Sequence, residues 1–482
     1  MSARGWIVGM VLSTLLSSMV GMARWRVRHP VEWGVPPASM TLPPMPSLRP
    51  PSTSAPPPSM SVSATPLPPP SKVPRLERPL RVSAYTWESA SAIVLANAGL
   101  RSGPNSAYVS NKLILHARAA EGMGEIERAL ARGGNEETGI DIAIAPLPWL
   151  IASYERLRAL KLQVFYVVGW SYGREGLFVR KGDTAFEGTS DETRLFTTGG
   201  DSSVSLALFA ADAEGLPLTK IRTTSGVKAA DIAAEAKPFT ALTAPEGPNE
   251  PRFTTLDASR LVPIVAVASS TFLESYRATV VDFARITRRA IADTAADVPS
   301  AARKLAPMTG VMEPATLLER LGSLQFANLR DNARVFELHG LYGASLRTLV
   351  ARNFELFHGT GAIHVTQADH ILLRPDVVVQ LGSGDPEIAP EPHVNGAPVG
   401  EARKVMVTRF AEKISEDLYA SELALLAEIF PRAHLRLGLG KTGSFKHVVE
   451  LAKSRYGVDV ARLVTGAVVE RATMSIEVFV PK

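Results

Sequence analysis

The chain of 482 residues contains no cysteine. This excludes a disulfide scaffold, a thiol nucleophile, thiolate zinc, cysteine-held iron–sulfur clusters and a lipoprotein anchor. Histidine is scarce as well, with nine scattered residues. His364 and His370 are six apart and share no helix face. No His/Asp/Glu set has metal-ligand spacing, so neither a metal nor a cofactor is expected. An excess of one charge is missing from most of the chain. Residues 1–80 carry eight basic and two acidic side chains, a net of +6, whereas the remainder carries 44 basic and 45 acidic, a net of −1. The folded part is therefore near neutral, which argues against a phosphate-tracking nucleic-acid surface.

What is present begins with an uncharged run of 19 residues, Gly5 to Ala23. It is long enough to cross a bilayer at the short end of the range. An uncleaved signal-anchor over residues 1–28 is the expectation. The rival is a signal peptide cut after Ala23, with Gly21 and Ala23 as the small residues. Arg24, Arg26 and Arg28 follow the run and only Arg4 precedes it, so the positive-inside rule alone would leave the bulk of the chain in the cytoplasm. Residues 30–74 hold 16 prolines in 45 positions. Proline fixes φ and donates no hydrogen bond, so residues 29–78 read as a stiff linker. At about 3.1 Å per residue it reaches up to roughly 140 Å. It serves as a passive spacer or as a ligand for proline-recognition modules.

From Arg81 the chain reads as globular. Strands are expected at Leu80–Tyr85, Lys112–His116, Ile140–Ala145, Gln163–Val168, Gly176–Arg180, Arg194–Thr198, Thr219–Thr223, Phe239–Thr243 and Val262–Ser269. Helices are expected at Ser89–Ala98, Gly124–Arg132, Leu150–Ala159, Asp201–Glu214 and Thr271–Thr294. Alternation of this kind indicates an α/β fold with a mostly parallel sheet. A Pro/Gly-rich stretch, Leu381–Gly400, marks a boundary, and the last 80 residues have their own strand–helix–strand–helix–strand pattern, with no internal repeat.

Three strings bear on chemistry. Gly169 to Gly173, GWSYG, matches the nucleophile-elbow pattern with Ser171 as nucleophile. That motif needs a helix after the strand, and Gly176–Arg180 reads as another strand, so a glycine-rich crossing between lobes is preferred to a hydrolase. Gly440-Lys441-Thr442 resembles the end of a phosphate-binding loop. The first glycine of that loop falls on Leu435, and only 40 residues follow Thr442, so the motif is rejected. Thr197 to Ser203, TTGGDSS, follows a strand and opens a helix. Free N–H groups and small hydroxyls there suit an anionic group, or else Asp201 or Ser202 simply caps the helix. Trp87, Trp149 and Trp170 each fall just past an expected strand, where ligands collect in open α/β sheets or where core packing alone explains them.

Residues from about 80 to 375 resemble the type II periplasmic solute-binding proteins of ABC importers, in the nitrate/sulfonate/taurine branch. The resemblance is carried by PLRVSAYTW, IDIAIAPLPWLI, VFYVVGWSYGREGLFVRKGD, RLFTTGGDSSVSLALFAADAEGLPL and the late stretch from Ala327 to Ile363. RSGPNSAYVSNK departs from the family's pattern after the first helix. Residues 403–482 resemble a degenerate OmpA-like domain, through KVMVTRF, SEDLYASELALLAEIFPRA, HLRLGLGKTGS and MSIEVFV. The peptidoglycan-binding aspartate of that family would stand at Lys441-Thr442-Gly443, so no peptidoglycan contact is transferred.

The resemblance implies a bilobed, periplasmic-binding-protein-like α/β domain over 79–380, a linker over 381–402 and a small α/β domain over 403–482, after a transmembrane helix. It implies a non-enzymatic protein of the bacterial inner membrane, single-pass, with its bulk in the periplasm. Its function would be capture of a small anionic solute for an ABC-type uptake or sensing system, with an importer permease as partner. The alternative is a non-binding envelope scaffold. The expected ligand-binding set is Trp87, Trp149, Ser171, Thr198, Gly199, Gly200, Ser202 and Ser203, with hinge motion at Gly169–Gly173 and near Pro245–Leu256.

Overall fold

The computed structural model describes residues 75–120, 122–180, 193–197, 200–225, 240–242, 249–310, 312–338, 340–382, 401–410, 414–438, 445–465 and 474–481. The apolar run Gly5–Ala23, the proline-rich stretch 30–74, Thr198, Gly199 and Lys441–Gly443 lie outside the described residues. Among the described residues, no helix is long and apolar enough to cross a membrane.

In chain order the strands are β1 (Leu80–Ala84), β2 (Leu115–Ala119), β3 (Ile142–Pro146), β4 (Leu162–Ser171), β5 (Gly176–Arg180), β6 (Thr193–Thr197), β7 (Ile221–Ser225) and β8 (Thr240–Leu242). They continue with β9 (Asn249–Thr254), β10 (Pro263–Ser269), β11 (Leu324–Phe326), β12 (Ala402–Arg409), β13 (His434–Gly438), β14 (Leu463–Thr465) and β15 (Ser475–Pro481). The first sheet runs β11-β4-β10-β3-β1-β2. In it β1, β2 and β3 are parallel, and β10 lies antiparallel between β3 and β4. Every residue of β3 and β4 is buried. Helices cover both faces, which is why these strands read as continuous apolar runs without alternation.

The second sheet runs β7-β6-β8-β5-β9. The chain passes between the sheets twice, from β4 to β5 and from β9 back to β10. Two α/β lobes joined by two crossings are the architecture that the sequence resemblance implies. Gly169 in β4 is required by close approach: a Cβ there would lie 2.5 Å from the Gln325 carbonyl oxygen of β11.

Several elements differ from expectation. Lys112 turns with φ +60 and the Leu113 N–H returns to the Tyr108 carbonyl at 2.9 Å, so the strand expected over Lys112–His116 starts at Leu115. The helix expected over Thr271–Thr294 is two helices, Ser270–Ser275 and Arg277–Ala296. Ser269 caps the first, and Tyr276, at φ −124 and ψ 36, breaks the pair apart. The helix expected over Leu150–Ala159 begins at Leu147, directly after Pro146, and breaks at Ser153. Trp170 lies within β4, not past it. Its ring carries the Arg260 guanidinium 3.7 Å above its centroid.

Helix Leu346–Gly359 bridges the lobes. It packs on helix Leu147–Ala152 of the first lobe and helix Asp201–Ala213 of the second. Asn353 accepts from the Ser205 hydroxyl at 2.7 Å, and Arg352 pairs with Asp212 at 2.6 Å.

The C-terminal residues form a third sheet, β12-β15-β13-β14, with helices Glu416–Ile429 and Phe445–Tyr456. This unit sits directly against the bilobed body. Arg403 pairs with Asp257 at 2.9 Å. Arg334 pairs with Glu428 at 2.7 Å, and Glu428 also accepts the Ala344 N–H at 2.9 Å. Phe253 meets Phe430 edge-on at 5.6 Å. Gly343 permits the approach, since a Cβ there would lie 2.2 Å from the backbone of Ala424.

Candidate functional site

The helices that follow β1, β2 and β3 all begin at the C-terminal ends of parallel strands. Ligand clefts in open α/β sheets form at that edge. Tyr85 follows β1 and donates its N–H to the Ile144 carbonyl at 2.8 Å. Met123 opens helix Met123–Arg132, and Trp149 lies in the first turn after β3. From the second lobe, β6 leads into helix Asp201–Ala213, whose N-cap is Gly200 with no side-chain cap. A cavity between the lobes is lined by Tyr85, Met123, Trp149, Arg174, Glu175, Gly200, Asp201, Ser202 and Ser203.

Trp149, Gly200, Ser202 and Ser203 of the expected set thus meet at one place. Trp87 does not line the cavity; it starts helix Trp87–Ala96. Ser171 closes β4 in a buried position and its hydroxyl donates to the Glu175 carboxyl. After Ser171 the chain bends into β5 without the helix that a nucleophile elbow requires. Tyr85, Met123, Arg174 and Glu175 are lining residues that sequence reasoning missed, and Asp201 was read only as a cap. Thr86 marks the same edge in the structure. It holds φ +119 between Tyr85 and Trp87, an uncommon backbone state for a β-branched residue and one that clusters at functional sites.

The electrostatics of the cavity are mostly acidic. Arg174 pairs with Glu88 at 2.5 Å, where the Glu88 side chain is 6% exposed, and its guanidinium lies 5.1 Å from the Tyr85 ring centroid. Glu175 is buried, and desolvation pushes its carboxyl above the ordinary range. Asp201 is pushed up to about 6 by desolvation, with Glu127 adding to the rise and Arg156 opposing it. Glu127 is held by Arg156 at 2.7 Å and accepts the Trp149 indole N–H at 3.2 Å, which anchors the indole by its nitrogen. The enclosed space holds about one water molecule. The two lobes are in contact around it.

No family model and no curated protein matches the chain. Solved structures do. The alkanesulfonate-binding protein of Xanthomonas axonopodis pv. citri, bound to MOPS, is 15% identical over 61% of this chain and 98% of its own, with a TM-score of 0.43. The aliphatic sulphonate-binding protein of Escherichia coli is 16% identical over 60% and 89%, with a TM-score of 0.41. The periplasmic nitrate-binding protein of Synechocystis PCC 6803 is 13% identical over 65% and 91%, with a TM-score of 0.42.

Proposed function

We propose that the bilobed body captures a small polar solute between the Tyr85–Trp149 wall of the first lobe and the start of helix Asp201–Ala213 in the second. The observation that carries this reading is a cavity to which both lobes contribute, at the C-terminal edge of the parallel strands. Capture then involves a hinge motion of the two crossings.

The charge of the solute follows from the lining. An anion at the N-terminus of helix Asp201–Ala213 meets Asp201, with Glu175 and Glu88 close by and Arg174 already paired. A cationic or hydrogen-bond-donating group on the solute instead satisfies Asp201, and its apolar part lies on Tyr85, Met123 and Trp149. The anionic solute expected from the sequence binds only if Arg174 leaves Glu88. Delivery to an ABC-type importer or a sensing partner, from a membrane-anchored position in the periplasm, belongs to the same proposal and rests on the sequence resemblance. The OmpA-like reading of residues 403–482 does too; its role here is docking against the lobes.

A second reading, a non-binding scaffold, is favoured by one observation: helix Leu346–Gly359 and the C-terminal unit both tie the lobes together. A thermal-shift screen of the full chain against amines, neutral polar solutes and anions separates the two. A binder is stabilised by mass action, and a scaffold responds to none of them.

A further inference from the structure

The sheet register of the first lobe gathers cationic side chains on one face, away from the cleft. β1 and β2 pair in parallel with Arg81 beside His116 and Ser83 beside Arg118. An isolated bridge sets Arg101 beside His116 on the far side. Leu80, Val82, Leu115 and Ala117 point into the core, so by strand alternation Arg81, Ser83, His116 and Arg118 share the opposite face. None of these residues lines the interlobe cavity.

This face has donors without acceptors. Arg81 Nε and Nη1, Ser83 Oγ and Arg118 Nε are buried and lack a hydrogen-bond partner. Ser83 is 0% exposed. Arg81 makes no ion pair among the described residues. The carboxylate nearest along the row, Asp141, is already taken by both Arg78 guanidinium nitrogens at 2.7 Å and by the Arg81 backbone N–H at 3.0 Å. Arg118 reaches Glu125 only at 4.0 Å and spends one Nη on the Thr138 carbonyl at 3.1 Å. Buried donors are ordinarily satisfied, and two guanidinium forks with a hydroxyl match a group bearing several acceptor oxygens.

We propose that Arg81, Ser83, His116 and Arg118 form a binding site for a tetrahedral oxyanion, a phosphate or sulfate group, on β1 and the edge strand β2 of the first lobe. Arg101 supplies further positive charge at the rim. The oxyanion is either a free ion or the phosphomonoester head of a lipid; the recognising chemistry is the same. The site also responds to pH. Burial, Arg101 and Arg81 lower the His116 imidazolium, and Glu137 opposes them. Glu125 faces the cluster from helix Met123–Arg132 and Arg118 from the same strand. A bound anion offsets the two arginines and favours protonated His116, so binding strengthens as pH falls.

The test is calorimetric titration of the full chain with inorganic phosphate and with sulfate. The pH arm uses sulfate, whose charge is constant between about pH 6 and about pH 8. The parent binds both ions, acetate binds more weakly, and Arg81→Met and Arg118→Met each weaken binding by about tenfold or more. The gain at lower pH disappears in His116→Gln. If Arg81→Met fails to fold, Ser83→Ala and His116→Gln carry the comparison. Retention of the chain on vesicles containing phosphatidic acid, lost in the same variants, assigns a lipid headgroup; its absence assigns the free ion. No heat with either ion, or unchanged affinity in the folded variants, overturns the proposal.

Discussion

Thr255 donates its backbone N–H to the Glu175 carbonyl at 2.8 Å and accepts the Glu175 N–H on its hydroxyl at 3.2 Å. Glu175 belongs to the first crossing between the lobes and Thr255 to the second, so this pair fastens the two crossings to each other at the floor of the cleft. The Ser171 hydroxyl adds a third member by donating to the Glu175 carboxyl. A hinge motion has to carry this unit as one body.

Replacing Thr255 with valine removes the acceptor for a buried N–H. The expected cost is about 1–3 kcal/mol, the usual cost of an orphaned buried donor. Ser171→Ala, which removes one of several partners of Glu175, should cost about 1 kcal/mol, and a fluorophosphonate probe should label neither the parent nor the variant. Urea denaturation measures both. A Thr255→Val chain as stable as the parent would break the link between the crossings.

A half-buried acidic group beside the C-terminal unit gives a pH dependence. Glu355 is pushed up to about 7 from 4.5 by desolvation, with Arg352 opposing and Asp212 and Glu422 adding to the rise. A carboxyl whose folded value is raised contributes stability in full below its unfolded value. That contribution is lost as pH rises through the folded value. The melting temperature should therefore fall between about pH 5 and about pH 8, and Glu355→Gln should flatten the fall. An identical slope in the variant would show that Glu355 does not titrate in this window.

Gly200→Val isolates the cleft from the fold. A Cβ at Gly200 meets nothing within 4 Å, and its φ of −85 suits any residue. The variant should keep its circular dichroism spectrum and melting temperature. Its side chain stands where the solute approaches the helix, so affinity should drop about tenfold, roughly 1.4 kcal/mol. Unchanged affinity would move the site elsewhere.

Topology has its own test. A phosphatase reporter fused after Lys482 should be active if residues 30–482 face the periplasm. An inactive phosphatase fusion with an active cytoplasmic reporter would place the bulk inside, where Arg24, Arg26 and Arg28 alone would hold it.

Much of this fold was legible because its strands are buried on both faces. IDIAIA and PIVAVAS leave few alternatives to interior strands. The short edge strands were not: β11 is three residues whose place is set by pairing with β4, and β14 is three residues paired in the sheet with β13. The break at Tyr276 escaped because the apolar periodicity continues through it, and only the backbone turn at Tyr276 itself divides the helix. In the cleft, Gly200, Ser202, Ser203 and Trp149 were readable as strand-end signals. Glu175 and Arg174 were not, since their roles depend on Thr255 and Glu88, 80 and 86 residues away in sequence. Without those contacts the acidic character of the cavity is invisible, and the glycine-rich turn reads as an anion site.

The most direct measurement is a thermal-shift titration of the full chain and of Asp201→Asn with a panel of amines, neutral polar solutes and anions. The account predicts that at least one amine or neutral solute raises the parent's melting temperature in proportion to the logarithm of its concentration, and that the rise shrinks in Asp201→Asn. Stabilisation by no member of the panel, or by anions alone with Asp201→Asn responding as the parent does, would contradict it.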